Sequence, residues 1–211
     1  MPEPSKEELL QAPSGSIDTE QLSFDGLRGD RRLHLSRAEL EARIALLPPA
    51  PRDRGTLDLL VARGPSGERF LYESTVLTRD GGMPGDRWLG NGRYGPDYQL
   101  ATTRSDFARL VANGQPLELH GDNLYLNLEL SSENLPTGTL VRLGAALTRV
   151  TPQAHNGCKK WVQRFGLDAM QLNLAPAYRH LHLRGMYLQV IEDGRVRVGD
   201  PVIVVSRATA A

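Results

Sequence analysis

The single cysteine of the chain, Cys158, lies in a local sequence that could make its thiol a working group. It stands in the run His-Asn-Gly-Cys-Lys-Lys-Trp at positions 155–161. Asn156 is a good helix N-cap, which predicts Cys158 in the first helical turn, where the free N–H groups and Lys159 favour a thiolate. His155 could exchange the thiol proton. Such a thiolate can attack an electrophile, carry sulfur as a persulfide, or bind a soft metal such as molybdenum.

The alternative is that a lone cysteine simply serves as a small buried hydrophobic residue. One cysteine excludes an intramolecular disulfide, and there is no C-x-x-C pair for zinc or redox exchange. Both facts favour a reducing compartment, so we expect a cytoplasmic protein.

Polar residues elsewhere could hold a ligand. Asp86 and Arg87 lie in a glycine-rich loop, and Arg87 could present its guanidinium to an anion, although a turn-stabilising ion pair explains them equally well. Asp122 and Asn123 could bind a ligand or simply make a tight turn. Arg184 could add positive charge near a phosphate.

His180 and His182 have the spacing that places two side chains on one face of a strand. No third metal ligand accompanies them in the sequence, so we interpret them as solvent-facing or core residues.

The sequence predicts mainly β-strands for the elements that position these residues. Capping boxes beginning at Ser5 and Ser36 start two helices in an N-terminal helical extension and linker, residues 1–55. Residues 56–207 form the main domain. Its strand patterns lie at 56–62, 69–77, 99–102, 117–120, 124–130, 140–150, 185–191 and 195–205. Helices are predicted at 105–112 and 159–164, a bend near Gly144, and a hairpin at Asp193-Gly194. Short strands with few helices favour a closed or partly closed barrel.

The overall composition excludes several classes of partner. The formal net charge is zero, which argues against nucleic acid or an anionic membrane as the main partner. No apolar run approaches the roughly 20 residues that span a bilayer, and the first residues do not resemble a signal peptide.

Several segments together resemble a known family. They are Gly-Met-Pro-Gly-Asp-Arg at 82–87, Gly-Asp-Asn-Leu at 121–124, the Leu-x-x-Gly segment beginning at Leu135, Cys158, and Arg-Gly-Met-Tyr-Leu at 184–188 with the run that follows it to residue 200. In this order and spacing they resemble the MOSC domain, the C-terminal module of molybdenum cofactor sulfurases, which also occurs as stand-alone bacterial proteins.

The resemblance implies a β-barrel-like fold and a characteristic cysteine. In the family this cysteine is proposed to carry sulfur for cofactor or cluster assembly, and in the amidoxime-reducing relatives it ligates the molybdenum of the pterin cofactor. Here it implies Cys158 as the ligand, with Asp86, Arg87, Asp122, Asn123, Lys159 and Arg184 as cofactor-binding candidates. The prolines that often lead to the family's cysteine are absent, since Gly157 stands immediately before Cys158.

Two functions therefore follow from the resemblance, and one alternative remains. The chain could bind molybdenum cofactor and reduce N-hydroxylated compounds with electrons from a separate reductase, or it could accept sulfur from a cysteine desulfurase. Pyridoxal phosphate belongs to another domain of the sulfurases, for which this chain has no room. The alternative is a non-catalytic barrel that binds a small ligand or acts as a scaffold, with a structural cysteine.

Overall fold

The computed structural model describes residues 5–13, 16–24, 26–92 and 94–208. Its strands are β1 (Arg54–Arg63), β2 (Arg69–Tyr72), β3 (Ser74–Leu77), β4 (Leu100–Arg104), β5 (Leu124–Asn127), β6 (Leu140–Leu143), β7 (Ala146–Ala154), β8 (Met186–Glu192), β9 (Gly194–Arg197) and β10 (Pro201–Ser206). Its α-helices are α1 (Lys6–Gln11), α2 (Arg37–Ala45), α3 (Trp88–Asn91), α4 (Ser105–Ala112), α5 (Lys159–Phe165), α6 (Leu167–Leu174) and α7 (Pro176–Arg179).

Seven strands close into a barrel in the order β1-β10-β6-β7-β8-β4-β5 and back to β1. Every neighbouring pair is antiparallel except β4 and β5, which run parallel. β2 pairs with the C-terminal end of β1, beyond the residues that pair with β10, and β3 pairs with β9 in a separate two-stranded sheet. The mainly β, barrel-like prediction is confirmed.

The barrel encloses a core of aliphatic side chains. Inward-facing leucines and valines from all seven strands are fully buried, among them Leu57, Leu60, Leu100, Leu126, Val141, Val150, Leu188 and Val202. Closing the sheet removes the free edges of these strands, so each strand's backbone groups are paired on both sides over at least part of its length. The interior is therefore a packed core, and any site must lie at the end or outside of the barrel.

A second apolar core joins the N-terminal extension to the helices. Leu9 of α1 and Leu40 of α2 are buried together with Phe107 of α4 and with Trp161 and Phe165 of α5. Both helices begin as predicted, because Ser5 and Ser36 each form a complete capping box with the glutamate three residues later. The boundary at residue 55 stays a prediction.

Three local predictions were wrong. Asp193-Gly194 does not join a hairpin, because β8 already pairs with β7 and β4, and β9 leaves to pair with β3. Leu117–His120 is a 3-10 helix whose C-cap, Gly121, has a positive φ of 78°. At Gly144 the chain does not bend within one strand but turns between the antiparallel strands β6 and β7.

The predicted strand at 69–77 is divided into β2 and β3. Residues 167–179 form α6 and α7, which the sequence pattern did not indicate. No helix in the described part of the chain has the length and apolar character needed to cross a bilayer.

Asn123 joins the strands beside the start of β5. Its Oδ1 accepts a hydrogen bond from the Ala101 N–H at 3.0 Å, and its Nδ2 donates to the Val61 carbonyl at 3.1 Å and to Asp86 Oδ2 at 2.8 Å. The side chain is fully buried, so its removal would cost all three partners a hydrogen bond that water cannot replace.

Replacing Asn123 by alanine should therefore lower the free energy of unfolding by about 3 kcal/mol, through the unsatisfied groups left on β4, β1 and Asp86. Denaturant unfolding monitored by circular dichroism measures the change. The matched control is Asn127→Ala at the other end of β5, where the side chain is exposed. Equal stability of the two variants would contradict this role.

Candidate functional site

Cys158 opens onto a cavity of about 410 Å³. This volume is within the range of small-molecule sites, roughly 300–1,000 Å³. The cysteine is exposed, which contradicts the expectation for an inert buried residue. The described residues that line the cavity are mainly basic or aromatic and include no aspartate or glutamate: Arg63, Gly67, Arg69, Arg87, Trp88, Tyr94, Tyr98, His120, Gly121, Gln153, Ala154, His155, Asn156, Gly157, Cys158, Lys160, Arg164, Arg184 and Tyr187.

The position of Cys158 relative to α5 differs from the prediction. Cys158 itself, not Asn156, is the N-cap of α5, with an extended backbone at φ −151° and ψ 174°. Its carbonyl accepts hydrogen bonds from the N–H groups of Trp161 and Val162. Gly157 precedes it with φ 72°, a left-handed conformation that a proline could not adopt. The thiol therefore lies just before the first turn of the helix.

Two of the five cavity arginines are paired with buried carboxylates. Arg63 donates from Nε and Nη2 to both oxygens of Asp86, at 2.8 and 2.9 Å, and Arg184 donates from Nη1 to Asp122 Oδ2 at 2.6 Å. Burial alone would lower the pKa of Arg63, but the hydrogen bonds and charge of Asp86 outweigh it and raise that pKa. Burial likewise works to raise the pKa of Asp86, but Arg63 holds it below its ordinary value.

The other three arginines have no carboxylate partner in the described part of the chain. Arg69 donates to the carbonyls of Gly67, Glu68 and Glu118, and Arg164 donates to those of Leu27 and Leu119. The Arg87 guanidinium makes no hydrogen bond to any described residue. Carbonyl oxygens orient a guanidinium without cancelling its charge, so these three charges are left to act on the cavity.

Burial, and after it the like charges of neighbouring arginines, lower the pKa of Arg69 and Arg164. Burial, followed by the charges of Arg87 and Arg63, lowers the pKa of Arg69. Burial and then Arg69 lower the pKa of Arg164 to about 10, against an opposing effect of Cys158. Both guanidiniums stay protonated at neutral pH. The cavity is therefore an electropositive site that favours an anion with several negative charges.

Three tyrosine rings form an aromatic wall in the same cavity. The Tyr98 ring lies 5.0 Å from the Tyr94 ring and 5.3 Å from the Tyr187 ring, centroid to centroid. Tyr187 also packs on the His155 ring at 4.6 Å. Burial raises the pKa of Tyr187 to about 12, so its hydroxyl is a neutral donor at physiological pH. Flat aromatic faces beside cationic groups are suited to a planar, negatively charged ligand.

His155 lies between the cavity and a buried acid. Its Nε2 is 3.5 Å from Asp122 Oδ1, and the Asp122 side chain is completely buried. Complete burial raises the pKa of Asp122 even though Arg184 contacts it. Asp122 therefore holds Arg184 through Oδ2 from behind the cavity wall, while its Oδ1 makes no hydrogen bond to a described residue.

The structure brings together four of the predicted site residues, Cys158, His155, Arg87 and Arg184, which all line the cavity. Asp86, Asp122 and Asn123 lie behind the wall, where their partners are protein groups. Lys159 does not line the cavity, whereas Lys160 does. Contact of these predicted residues with a cofactor stays a prediction.

Sequence reasoning missed Arg63, Arg69 and Arg164, which come from β1, β2 and α5. Of these three, only Arg63 and Arg69 gave a signal in the sequence, because they end one strand and begin the next on either side of a tight turn. Among the described residues, no cluster of three or more histidine, cysteine or acidic side chains suited to a metal occurs, at His180 and His182 or elsewhere. His182 instead contacts the Leu130 carbonyl through Nδ1 at 3.0 Å.

The Arg63–Asp86 pair leads to a prediction about pH. Because the folded pKa of Asp86 lies below its unfolded value of about 3.9, the pair stabilises the fold above that pH and the contribution is lost as pH falls. Asp86→Asn should cost about 3–5 kcal/mol at pH 7 by leaving Arg63 buried and unpaired, and less near pH 3. Urea unfolding at both pH values measures it, with Asp80→Asn in the same loop as the exposed control. An equal loss at both pH values would refute the assignment.

Comparison with known proteins agrees with this geometry. Residues 83–203, more than half of the chain, match the model of the MOSC domain. No curated protein matches the sequence. Among solved structures, the fold is similar to a hypothetical protein (TM-score 0.56, 23% identity, covering 76% of this chain and 72% of the other) and to YuaD from Bacillus subtilis (TM-score 0.52, 15% identity, covering 73% and 97%).

YiiM from Escherichia coli is also similar, with a TM-score of 0.51 and 25% identity over 75% of this chain and 72% of YiiM. The family's model begins at the loop that carries Asp86 and ends in the last barrel strand, so it includes Cys158, Arg87, Arg164 and Arg184. On the match of sequence and fold together, the chain belongs to the MOSC domain family.

Proposed function

We propose that the chain binds molybdenum cofactor in the cavity, with the Cys158 thiolate as the protein ligand to the metal. One observation carries the proposal: an exposed thiol shares its cavity with Arg69, Arg87 and Arg164, whose charges no described carboxylate neutralises. The cofactor is a phosphate-bearing pterin, and it needs the same three things that the cavity provides: cations, flat faces and a soft ligand.

The residues fit the parts of this group separately. Arginine guanidiniums bind phosphate through paired, charge-assisted hydrogen bonds, and Arg87 has its donors available for one. Tyr98 and Tyr187 offer faces against which a pterin ring can pack. A thiolate is the ligand type that soft metals select. Bound in this way, the group would supply two-electron redox chemistry, and the resemblance favours N-hydroxylated compounds as substrates.

The protein's own groups have distinct tasks in such a reaction. His155 lines the cavity with its Nε2 3.5 Å from Asp122 Oδ1, and we assign it the exchange of a proton with the bound substrate. Asp86 fixes the Arg63 guanidinium at the cavity, and the tyrosine rings supply apolar surface along the same lining. Electrons would come from a separate reductase. A reduced thiol of this kind is suited to the cytoplasm.

Sulfur transfer is the second candidate, and the exposure of Cys158 favours it. In this version the Cys158 thiolate attacks the outer sulfur of a persulfide on a cysteine desulfurase. A sulfur–sulfur bond forms at Cys158, the donor's sulfur–sulfur bond breaks, and the donor leaves as a thiolate. A scaffold with a structural cysteine is disfavoured, because Cys158 is neither buried nor separated from the cavity.

Molybdenum content tests the first proposal. The wild-type chain, purified from a host that makes the cofactor, should carry nearly stoichiometric molybdenum by elemental analysis. Cys158→Ala should lose the metal, because no ligand atom remains at this position. Arg87→Gln should reduce the content about tenfold or more through loss of a charge-assisted contact, whereas the surface variant Arg149→Gln should match wild type. A wild-type protein without molybdenum would rule out the cofactor proposal.

Mass spectrometry tests the second proposal independently. After incubation with a cysteine desulfurase and cysteine, the wild-type chain should gain the mass of one sulfur atom on the peptide that contains Cys158. The Cys158→Ala variant should gain none. Absence of the added sulfur in the wild type, under conditions where the desulfurase itself turns over, would exclude the carrier.

A further inference from the structure

We propose that a short stretch of the N-terminal extension is a positioning element for the anion cavity. This strap consists of Phe24 and residues 26–30; it lies outside the MOSC match, and none of its residues lines the cavity. The inference rests on the proposed function, because it concerns how the cavity holds an anion. The strap acts through Arg164, the cavity arginine on α5.

Hydrogen bonds hold the strap against α5. The Gly29 N–H donates to Gln163 Oε1 at 2.9 Å, and Gln163 Nε2 donates back to the Gly29 carbonyl at 3.2 Å. Gln115 completes the junction, since its Oε1 accepts from the Asp30 N–H at 2.8 Å and its Nε2 donates to the Arg164 carbonyl at 2.9 Å. Gln163 is completely buried, so these bonds form away from water.

Gly29 lets the strap approach the backbone of α5 more closely than any residue with a side chain would allow. A Cβ at this position would lie 2.5 Å from the Arg164 Cα and closer still to the Arg164 carbonyl oxygen. Its backbone is not in the left-handed region, so the requirement for glycine here is one of space. The strap therefore lies directly on the backbone of the residue that it positions.

The strap also orients the guanidinium. Arg164 Nε donates to the Leu27 carbonyl at 2.8 Å, and Nη1 donates to the Leu119 carbonyl at 2.9 Å. Two anchors on different segments fix the plane of the group and leave Nη2 for a ligand. The Phe24 ring lies 5.7 Å from the Arg164 guanidinium carbon and 5.5 Å from Lys160 Nζ. One anchor of Arg164 and an aromatic surface for two cavity cations thus come from the strap.

Anion affinity distinguishes positioning from a purely structural role. Isothermal titration with inorganic pyrophosphate at low ionic strength compares the wild type with Gly29→Ala, which forces the strap away from α5. We expect about a tenfold weaker affinity, as for one misdirected charge-assisted hydrogen bond. Gly90→Ala is the matched control, because a Cβ there meets nothing within 4 Å. It should bind pyrophosphate as the wild type does.

A double-mutant cycle tests whether the effect passes through Arg164. Arg164→Ala should weaken binding by itself, and Gly29→Ala should weaken it no further in that background. Additive losses would overturn the inference, as would Gly29→Ala binding as tightly as a wild type that does bind. A wild type that binds no pyrophosphate would instead overturn the proposed anion site, and the inference with it.

A milder variant keeps the test valid if Gly29→Ala does not fold. Phe24→Leu retains an apolar side chain but removes the ring face beside Arg164 and Lys160. It should weaken pyrophosphate binding about threefold. Unchanged affinity in this variant, with native circular dichroism, would count against the strap.

Discussion

Five arginine side chains converge on one cavity, and their mutual repulsion is the constraint that the surrounding structure has to meet. Each buried guanidinium loses hydration, and each neighbour of the same charge adds to the cost. Asp86 and Asp122 offset part of it from behind the wall, where water does not reach them. The barrel strands, the glycine-rich loop and Asn123 together hold these two carboxylates in place.

The remaining arginines are held in a different way, and the difference has a chemical consequence. A carboxylate partner both orients a guanidinium and neutralises it, as Asp86 does for Arg63. A carbonyl partner only orients it, as Leu119 and Leu27 do for Arg164. An arginine charge that no carboxylate neutralises in the free protein is stabilised when an anion binds. Holding these arginines with carbonyl oxygens therefore directs binding energy toward a phosphate-bearing ligand.

Local signals in the sequence were enough to predict most helices and strands, but not to predict which residues form the cavity. The capping boxes at Ser5 and Ser36, the helix after Cys158 and the β character depend on neighbouring residues, and all are present. Whether β9 pairs with β8 or β3 depends instead on which strand edges are free once the barrel has closed. Arg63, Arg69 and Arg164 could not be predicted for the same reason, because only the closed fold brings them together. Cys158 and Arg87 could be identified because each lies in a short local motif of the family.

His120 shows how the cavity excludes a further positive charge. Its ring lines the cavity near Arg184 and Arg164, and burial followed by the charge of Arg184 lowers its pKa well below the ordinary value. Trp161 donates its indole N–H to His120 Nδ1 at 3.2 Å, which leaves Nε2 to donate to the Ala108 carbonyl at 3.0 Å. Protonating Nδ1 would break the bond from Trp161, because that indole can only donate. His120 is therefore held neutral by its partners as well as by burial, and it adds no charge to that of the arginines and Lys160 of the wall.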